Sequence, residues 1–195
     1  MTPMPATGII MPYRGVMPRI ATDAFIAPGA VVAGDVEIGP GCSIWFQCVL
    51  RADVNHIIIG ARVNLQDGTI VHVSRRGHGE TRIGDDVSVG HRAIIHSCVL
   101  ETRAFVGMGA TVMDGCVVEG DGMVAAGALL TPNKRVKTGE LWGGSPARFM
   151  RALTPDEIAR NRDTARHYSA MGGEYRATLL GGTSSGAAGT ERLSA

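Results

Sequence analysis

The sequence predicts an all-β fold, a parallel β-helix of hexapeptide repeats followed by one C-terminal α-helix. Three observations carry that prediction. Aliphatic residues recur every six positions: Ile20, Ile26, Val32, Ile38, Ile44 and Leu50 form one run, and Leu100, Val106, Val112, Val118, Val124, Leu130 and Val136 another. The shorter stretches Ile59, Leu65, Val71 and Ile83, Val89, Ile95 keep the same step. Four residues after most beats stands a smaller side chain, among them Ala24, Ala30, Val36, Cys42, Val63, Val87, Ala93, Ala104, Ala110, Cys116 and Ala128. Finally, the chain holds 27 glycines and only 5% aromatic residues, which suits a narrow prism filled by Val, Ile and Ala. A β-sandwich would alternate by two with irregular turns, whereas strict register at six marks stacked coils.

The elements follow in order. Residues 1–19 read as an N-terminal lead-in and residues 20–141 as the β-helix. Each hexad supplies one large and one smaller inward side chain, with Gly or polar pairs such as Pro40-Gly41 and Asp85-Asp86 at the bends. Three hexads make a triangular coil of 18 residues, so residue i lies beneath residue i+18 at a strand spacing of about 4.8 Å. Residues 142–180 hold a turn and the helix: Gly143-Gly144-Ser145-Pro146-Ala147 leads the chain out of the prism, and Thr154-Pro155-Asp156-Glu157 reads as a capping box with Pro in the first turn. The helix is expected to run to about Met171 and to stop at Gly172-Gly173, with Tyr175 beyond it. A lone helix is marginal in water, so it must pack on the prism or on a neighbour. The Gly/Ser-rich residues 181–195 are expected to be disordered.

Composition narrows the function. A net charge of +1 argues against nucleic acid as a partner. No apolar stretch approaches the length of a membrane span, and the early cluster Gly8-Ile9-Ile10-Met11 ends at Pro12, too short for a signal peptide. These features lead us to expect a soluble, cytoplasmic protein with no membrane partner. Four cysteines form no metal-binding CxxC; Cys98 and Cys116, 18 apart, should stack on adjacent coils, at a spacing that permits a disulfide, with buried thiols the expected state in a reducing compartment.

The breaks in the six-residue beat fall among the histidines. His72 directly follows Val71 and His96 directly follows Ile95, the same slot of the hexad, and alternation turns both imidazoles outward. His91, two residues after Val89, occupies a different slot. Beside them the repeat is irregular: Ile95 to Leu100 is five residues, and the chain after His72 leaves the prism as Val73-Ser74-Arg75-Arg76-Gly77-His78. Local departures of this kind tend to mark function. Spacing alone leaves both a metal site and a set of ordinary surface histidines open.

Several segments together resemble the γ-class carbonic anhydrase family. They are Ser43-Ile44-Trp45, Leu50-Arg51-Ala52-Asp53-Val54-Asn55-His56, Ile59-Gly60-Ala61-Arg62-Val63-Asn64-Leu65-Gln66-Asp67-Gly68, Val89-Gly90-His91, Ile95-His96, Val106-Gly107-Met108-Gly109-Ala110 and Gly144-Ser145-Pro146-Ala147-Arg148. The match runs in order over about residues 12 to 152 and is nearest the short bacterial branch often called hexapeptide transferases. The resemblance implies that the β-helix is left-handed, against the usual crossover rule, and that the protein is a homotrimer with metal between neighbouring prisms. It implies ligation by His72 and His96 of one subunit and His91 of the next. Three neutral imidazoles leave an open position for water, the arrangement of catalytic zinc; iron or cobalt would also accept these ligands. The implied reaction is reversible hydration of CO2 to bicarbonate by a metal-bound hydroxide.

By the same resemblance, Arg51 and Asp53 link subunits beside the metal, Gln66 orients the bound water, and Asn64 and Asp67 shape the site. Plain ion-pair and turn roles stand beside these. Tyr168 on the helix either reaches a neighbour's pocket or simply packs. The chain departs from the better-known enzymes in two places: the loop after His72 is short and basic, and Val54 stands where a glutamate follows the Arg-x-Asp pair. Both remove carboxylates that could carry the proton away, leaving His78 as a substitute. Two other functions stay open: acyl-CoA-linked acyl transfer or thioester hydrolysis, and a catalytically weak structural subunit.

Overall fold

Every beat aliphatic from Val32 to Val136 is at most 2% exposed, so the six-residue pattern is the core itself. The structure, a computed structural model, describes residues 8–75, 79–179 and 181. The expected tail at 181–195 and the loop histidine His78 therefore lie, apart from Gly181, outside the described residues. Short parallel strands stack into a parallel β-helix with three faces. The third face is the easiest to count: Phe25–Ile26, Ser43–Ile44, Asn64–Leu65, Ser88–Val89, Phe105–Val106, Met123–Val124 and Glu140–Gly144 pair in that order, giving seven coils.

The first face contains Ile9–Met11, the start of Val31–Ile38, the start of Val49–Ile59, Ile70–His72, Ile94–His96, Thr111–Val112 and Leu129–Leu130. The lead-in thus supplies a strand of its own, since Ile9–Met11 pairs with Val31–Ala33. The second face contains Arg19–Ile20, the ends of the two long strands, Thr81–Ile83, Val99–Leu100, Val117–Val118 and Arg135–Val136. The two long strands pass round the edge between these faces and join them into one twelve-stranded sheet. Where the repeat is undisturbed the register step is 18, as in Val99, Val117 and Arg135. The smaller inward residues are buried with the larger ones, and all four cysteines are free thiols inside. Burial pushes the Cys42 and Cys48 thiols up to about 11 and about 12.

The last coil ends in a hairpin. Glu140–Gly144 runs parallel to Met123–Val124 and antiparallel to Ala147–Ala152, through a turn holding the cis bond Ser145-Pro146. The chain folds back along the final coil before it leaves. Helix α1 (Pro155–Leu179) then begins at the expected capping box: the Thr154 N–H donates to Glu157 Oε2 at 2.8 Å, and the Glu157 N–H donates to Thr154 Oγ1 at 3.2 Å.

The expected stop at Gly172-Gly173 is corrected, because α1 continues to Leu179. Gly172 is a contact residue here: a Cβ on it would lie 2.9 Å from Ser43 Cβ, so its missing side chain lets the helix sit tightly on the third face. One turn on, Tyr175 packs on Phe25, Trp45 and Phe46, with ring centroids 5.7, 5.2 and 6.0 Å away. Tertiary packing overrides the local stop signal. Among the described residues no helix is long and apolar enough to cross a membrane.

Candidate metal centre

Three successive coils break the repeat at one edge, where the first face turns into the second. Leu50 to Ile59 is nine residues, Val71 to Ile83 is twelve, and Ile95 to Leu100 is five. The registers absorb these changes, pairing Ile38 with Ile59, Ile59 with Ile83, and Ile83 with Leu100. The extra or missing residues are therefore confined to that edge and leave the inward ladder unbroken. Arg51, His72 and His96 are neighbours across strands, one per coil.

Their side chains form a continuous polar ladder. Arg51 pairs with Asp53. Asp53 Oδ1 lies 3.1 Å from His72 Nε2, and His72 Nδ1 lies 3.1 Å from His96 Nε2. His96 Nδ1 in turn lies 2.6 Å from Asp114 Oδ1, one coil further along. Burial pushes the Asp53 carboxyl up, but His72 and Arg51 together outweigh it and hold its pKa below the usual value. The edge is braced from behind, since the Thr81 hydroxyl donates to the His72 carbonyl at 2.7 Å and the Ser97 N–H to the same carbonyl at 3.2 Å.

The remaining residues gather at the opposite edge of the first face, where the third face turns into it. His91 Nδ1 stands 2.8 Å from Asp67 Oδ2. Gln66 is buried, and its Nε2 donates to Asn64 Oδ1 at 3.1 Å; Asn64 Nδ2 donates to Ser88 Oγ at 2.8 Å. Tyr168 meets Trp45 edge-on at 5.4 Å, packed on its own prism. Burial and, less strongly, the Asp67 charge raise its pKa. The predicted residues thus fall into two groups, Arg51, Asp53, His72 and His96 at one edge, and Asn64, Gln66, Asp67, His91 and Tyr168 at the other.

Within one chain the two groups cannot share an ion. The strand Ile94–His96 separates His91 from His96, a span on the order of 10 Å at strand rise, and among the described residues no three ligating side chains converge. The strip between the groups is apolar and open, with Ile70 43% and Ile94 40% exposed.

The paired histidines do fit a divalent cation. Two imidazole nitrogens about 2.0–2.1 Å from one tetrahedral ion stand about 3.3 Å apart, and here they are 3.1 Å apart. Each imidazole also has its other nitrogen on a carboxylate, the usual support for a ligand histidine. Asp114 escaped the sequence reading. Its available signal was its place in the bend of the next coil, between Val112 and Val118.

Fold and edge together define a hexapeptide-repeat β-helix that presents a buttressed histidine pair. Residues 17–52 match the family described as bacterial transferase hexapeptide (six repeats). The chain is 53% identical over 155 residues to gamma carbonic anhydrase 2, mitochondrial, of Arabidopsis thaliana, covering 77% of this chain and 56% of that protein. It therefore spans little more than half the length of this relative. It is 40% identical over 169 residues to a carbonic anhydrase of Geobacillus kaustophilus (strain HTA426), covering 87% and 92% of the two chains. The crystal structure of a hexapeptide transferase family protein from Anaplasma phagocytophilum superposes with a TM-score of 0.82 at 47% identity, covering 86% and 98%. The chain belongs to the γ-carbonic-anhydrase-like family of hexapeptide-repeat proteins.

Proposed function

We propose that this chain is a metal-dependent carbonic anhydrase that interconverts CO2 and bicarbonate as a homotrimer. The observation that carries the reading is the division of the site into two groups at opposite edges of one face. Each group is incomplete, and the apolar strip of Ile70 and Ile94 lies between them. A head-to-tail contact that lays one edge of a prism on the opposite edge of the next closes into a ring. In that ring His72 and His96 of one copy and His91 of its neighbour hold the ion. Zinc is the metal of choice, with iron or cobalt also suited to three imidazoles. When bound, such a cation lowers the pKa of a coordinated water to about 7 and so supplies the nucleophile for CO2.

The chain's own residues position and protect. Gln66 is fixed through the N–H it donates to Asn64, which turns its Oε1 away as an acceptor for a water proton. Asp67 holds His91 by one ring nitrogen and leaves the other for a ligand role. Asp53, anchored by Arg51, steadies His72 in the same way. Val54 offers no carboxylate next to this group, so the proton released on hydration passes to external buffer.

One preparation tests the reading: metal analysis together with a direct CO2 hydration assay. Chains carrying His91→Ala mixed with chains carrying His72→Ala should regain metal at some junctions of hybrid trimers, although each variant alone binds none. A metal-replete trimer with no hydration at any concentration of imidazole buffer would overturn the hydratase reading. Acyl-CoA thioester cleavage would then be assayed next.

A further inference from the structure

We infer that Asp114 is the residue that fixes His96 for metal binding, by holding its imidazole in the tautomer with hydrogen on Nδ1. The inference rests on the metal site proposed above. It starts from the 2.6 Å contact between Asp114 Oδ1 and His96 Nδ1. An ionised carboxylate only accepts, so the imidazole nitrogen facing it must carry the hydrogen. Nε2 then carries the lone pair, and Nε2 is the nitrogen turned toward His72. In this tautomer His96 is already a ligand.

The backbone makes this contact unlike an ordinary surface ion pair. The coil from Ile95 to Val112 is one residue short and the 18-residue step resumes at Val99 and Val117, so the bend that holds Asp114 stacks on the shortened bend of His96 and Ser97. The Gly115 N–H donates to the Ser97 carbonyl at 2.8 Å, locking the turn of Asp114 against the turn of His96. The Asn133 N–H donates to the Asp114 carbonyl at 2.9 Å, tying the same turn to the coil beyond. On the other side the Ser97 hydroxyl donates to the Gly79 carbonyl at 3.0 Å. Three coils thus set where the carboxylate sits, whereas the side chains of Arg19 or Arg82 reach their acidic partners through long flexible stems. Asp53 supports His72 from the opposite end of the ladder, so the pair is gripped from both sides.

The test uses the full chain, stripped of metal and reloaded with Zn2+ or Co2+ under competition from a chromogenic chelator. Asp114→Ala should weaken binding by about 10- to 100-fold. Asp114→Asn, whose amide oxygen can still accept from Nδ1, should recover part of that loss. Nitrogen NMR of the metal-free protein should show His96 with hydrogen on Nδ1 in the native chain and a changed tautomer balance in Asp114→Ala. Native affinity in a folded Asp114→Ala trimer, or hydrogen on Nε2 in the native chain, would overturn the inference. Should Asp114→Ala fail to fold, the native spectrum and the Asn variant decide it. His96→Ala separates the two claims: if it loses metal while Asp114→Ala does not, only this inference fails, and if it keeps metal, the metal site itself fails.

Discussion

Asp53 fixes His72 and Asp114 fixes His96 from opposite ends of the row, so the remaining nitrogen of each imidazole is turned toward the other. Val54 adjoins this row, partly packed against the core and lining the cleft beside Asp53. Introducing Val54→Glu should raise CO2 turnover in dilute buffer, because proton removal then has an internal acceptor. Concentrated imidazole buffer should erase the difference, and the dependence on CO2 concentration should stay the same. A variant equally slow in both buffers would place the limit elsewhere. The three histidines stand out in the sequence because they interrupt or adjoin the repeat, whereas Gln66, Asp67, Arg51 and Asp53 are suggested by the family resemblance alone. Their sorting into two groups could not be read in the same way, because it depends on which edge of the prism each bend occupies. The slot of His91 hinted at it, as did the family resemblance that assigns His91 to the next subunit. Asp114 went unseen for the opposite reason: it sits in a regular coil and disturbs nothing.

Helix α1 and its cap set the behaviour of the C-terminal element. Hydrogen bonds from Arg151 and from the Thr154 backbone hold the Glu157 carboxyl at a pKa of about 2, below its ordinary 4.5. A depressed carboxyl contributes stability above its unfolded pKa and loses it as pH falls through the folded value. Glu157→Gln should therefore lower the melting temperature at neutral pH, with the gap to the native protein closing between pH 4.5 and about 2. A gap unchanged at low pH would show that the cap does not act through the charge. The two adjacent glycines make a sharper pair. Alanine at an exposed helix position gains up to about 1 kcal/mol over glycine, and at Gly173 nothing lies near enough to oppose it. At Gly172 the added carbon meets Ser43 at 2.9 Å, so a cost of about 1–3 kcal/mol should win. Urea midpoints should move in opposite directions for Gly173→Ala and Gly172→Ala. The start of this helix was legible because a capping box is local chemistry. Its end was not, because Gly172 serves a contact with residues far away in the sequence.

At the scale of the whole molecule, the period of six gave the architecture because it fixes both the inward ladder and the spacing of the bends. The gaps of nine, twelve and five residues also lay open in the sequence, but that they share one edge emerges only when the coils are stacked. The exposed strip between the two edges should be covered in the assembled protein. Ile94→Asp leaves an isolated prism intact, since this side chain is already 40% exposed there. It should yield monomers in sedimentation experiments and abolish high-affinity metal binding together. A trimer that tolerates the aspartate would place the contact on another face.

Helix α1 has a mechanical consequence of its own. A solenoid stabilised only by contacts between neighbouring repeats can unzip from either end, one rung at a time. Here Arg162 pairs with Asp121 near the far end of the stack, Ser169 donates to the Gly41 carbonyl, and Tyr175 stacks on Phe25 in the first coil. The helix lies lengthwise across the rungs like a spine along the pages of a book. Fraying at either terminus must then break contacts to the middle as well, which turns a linear zipper into a single cooperative unit.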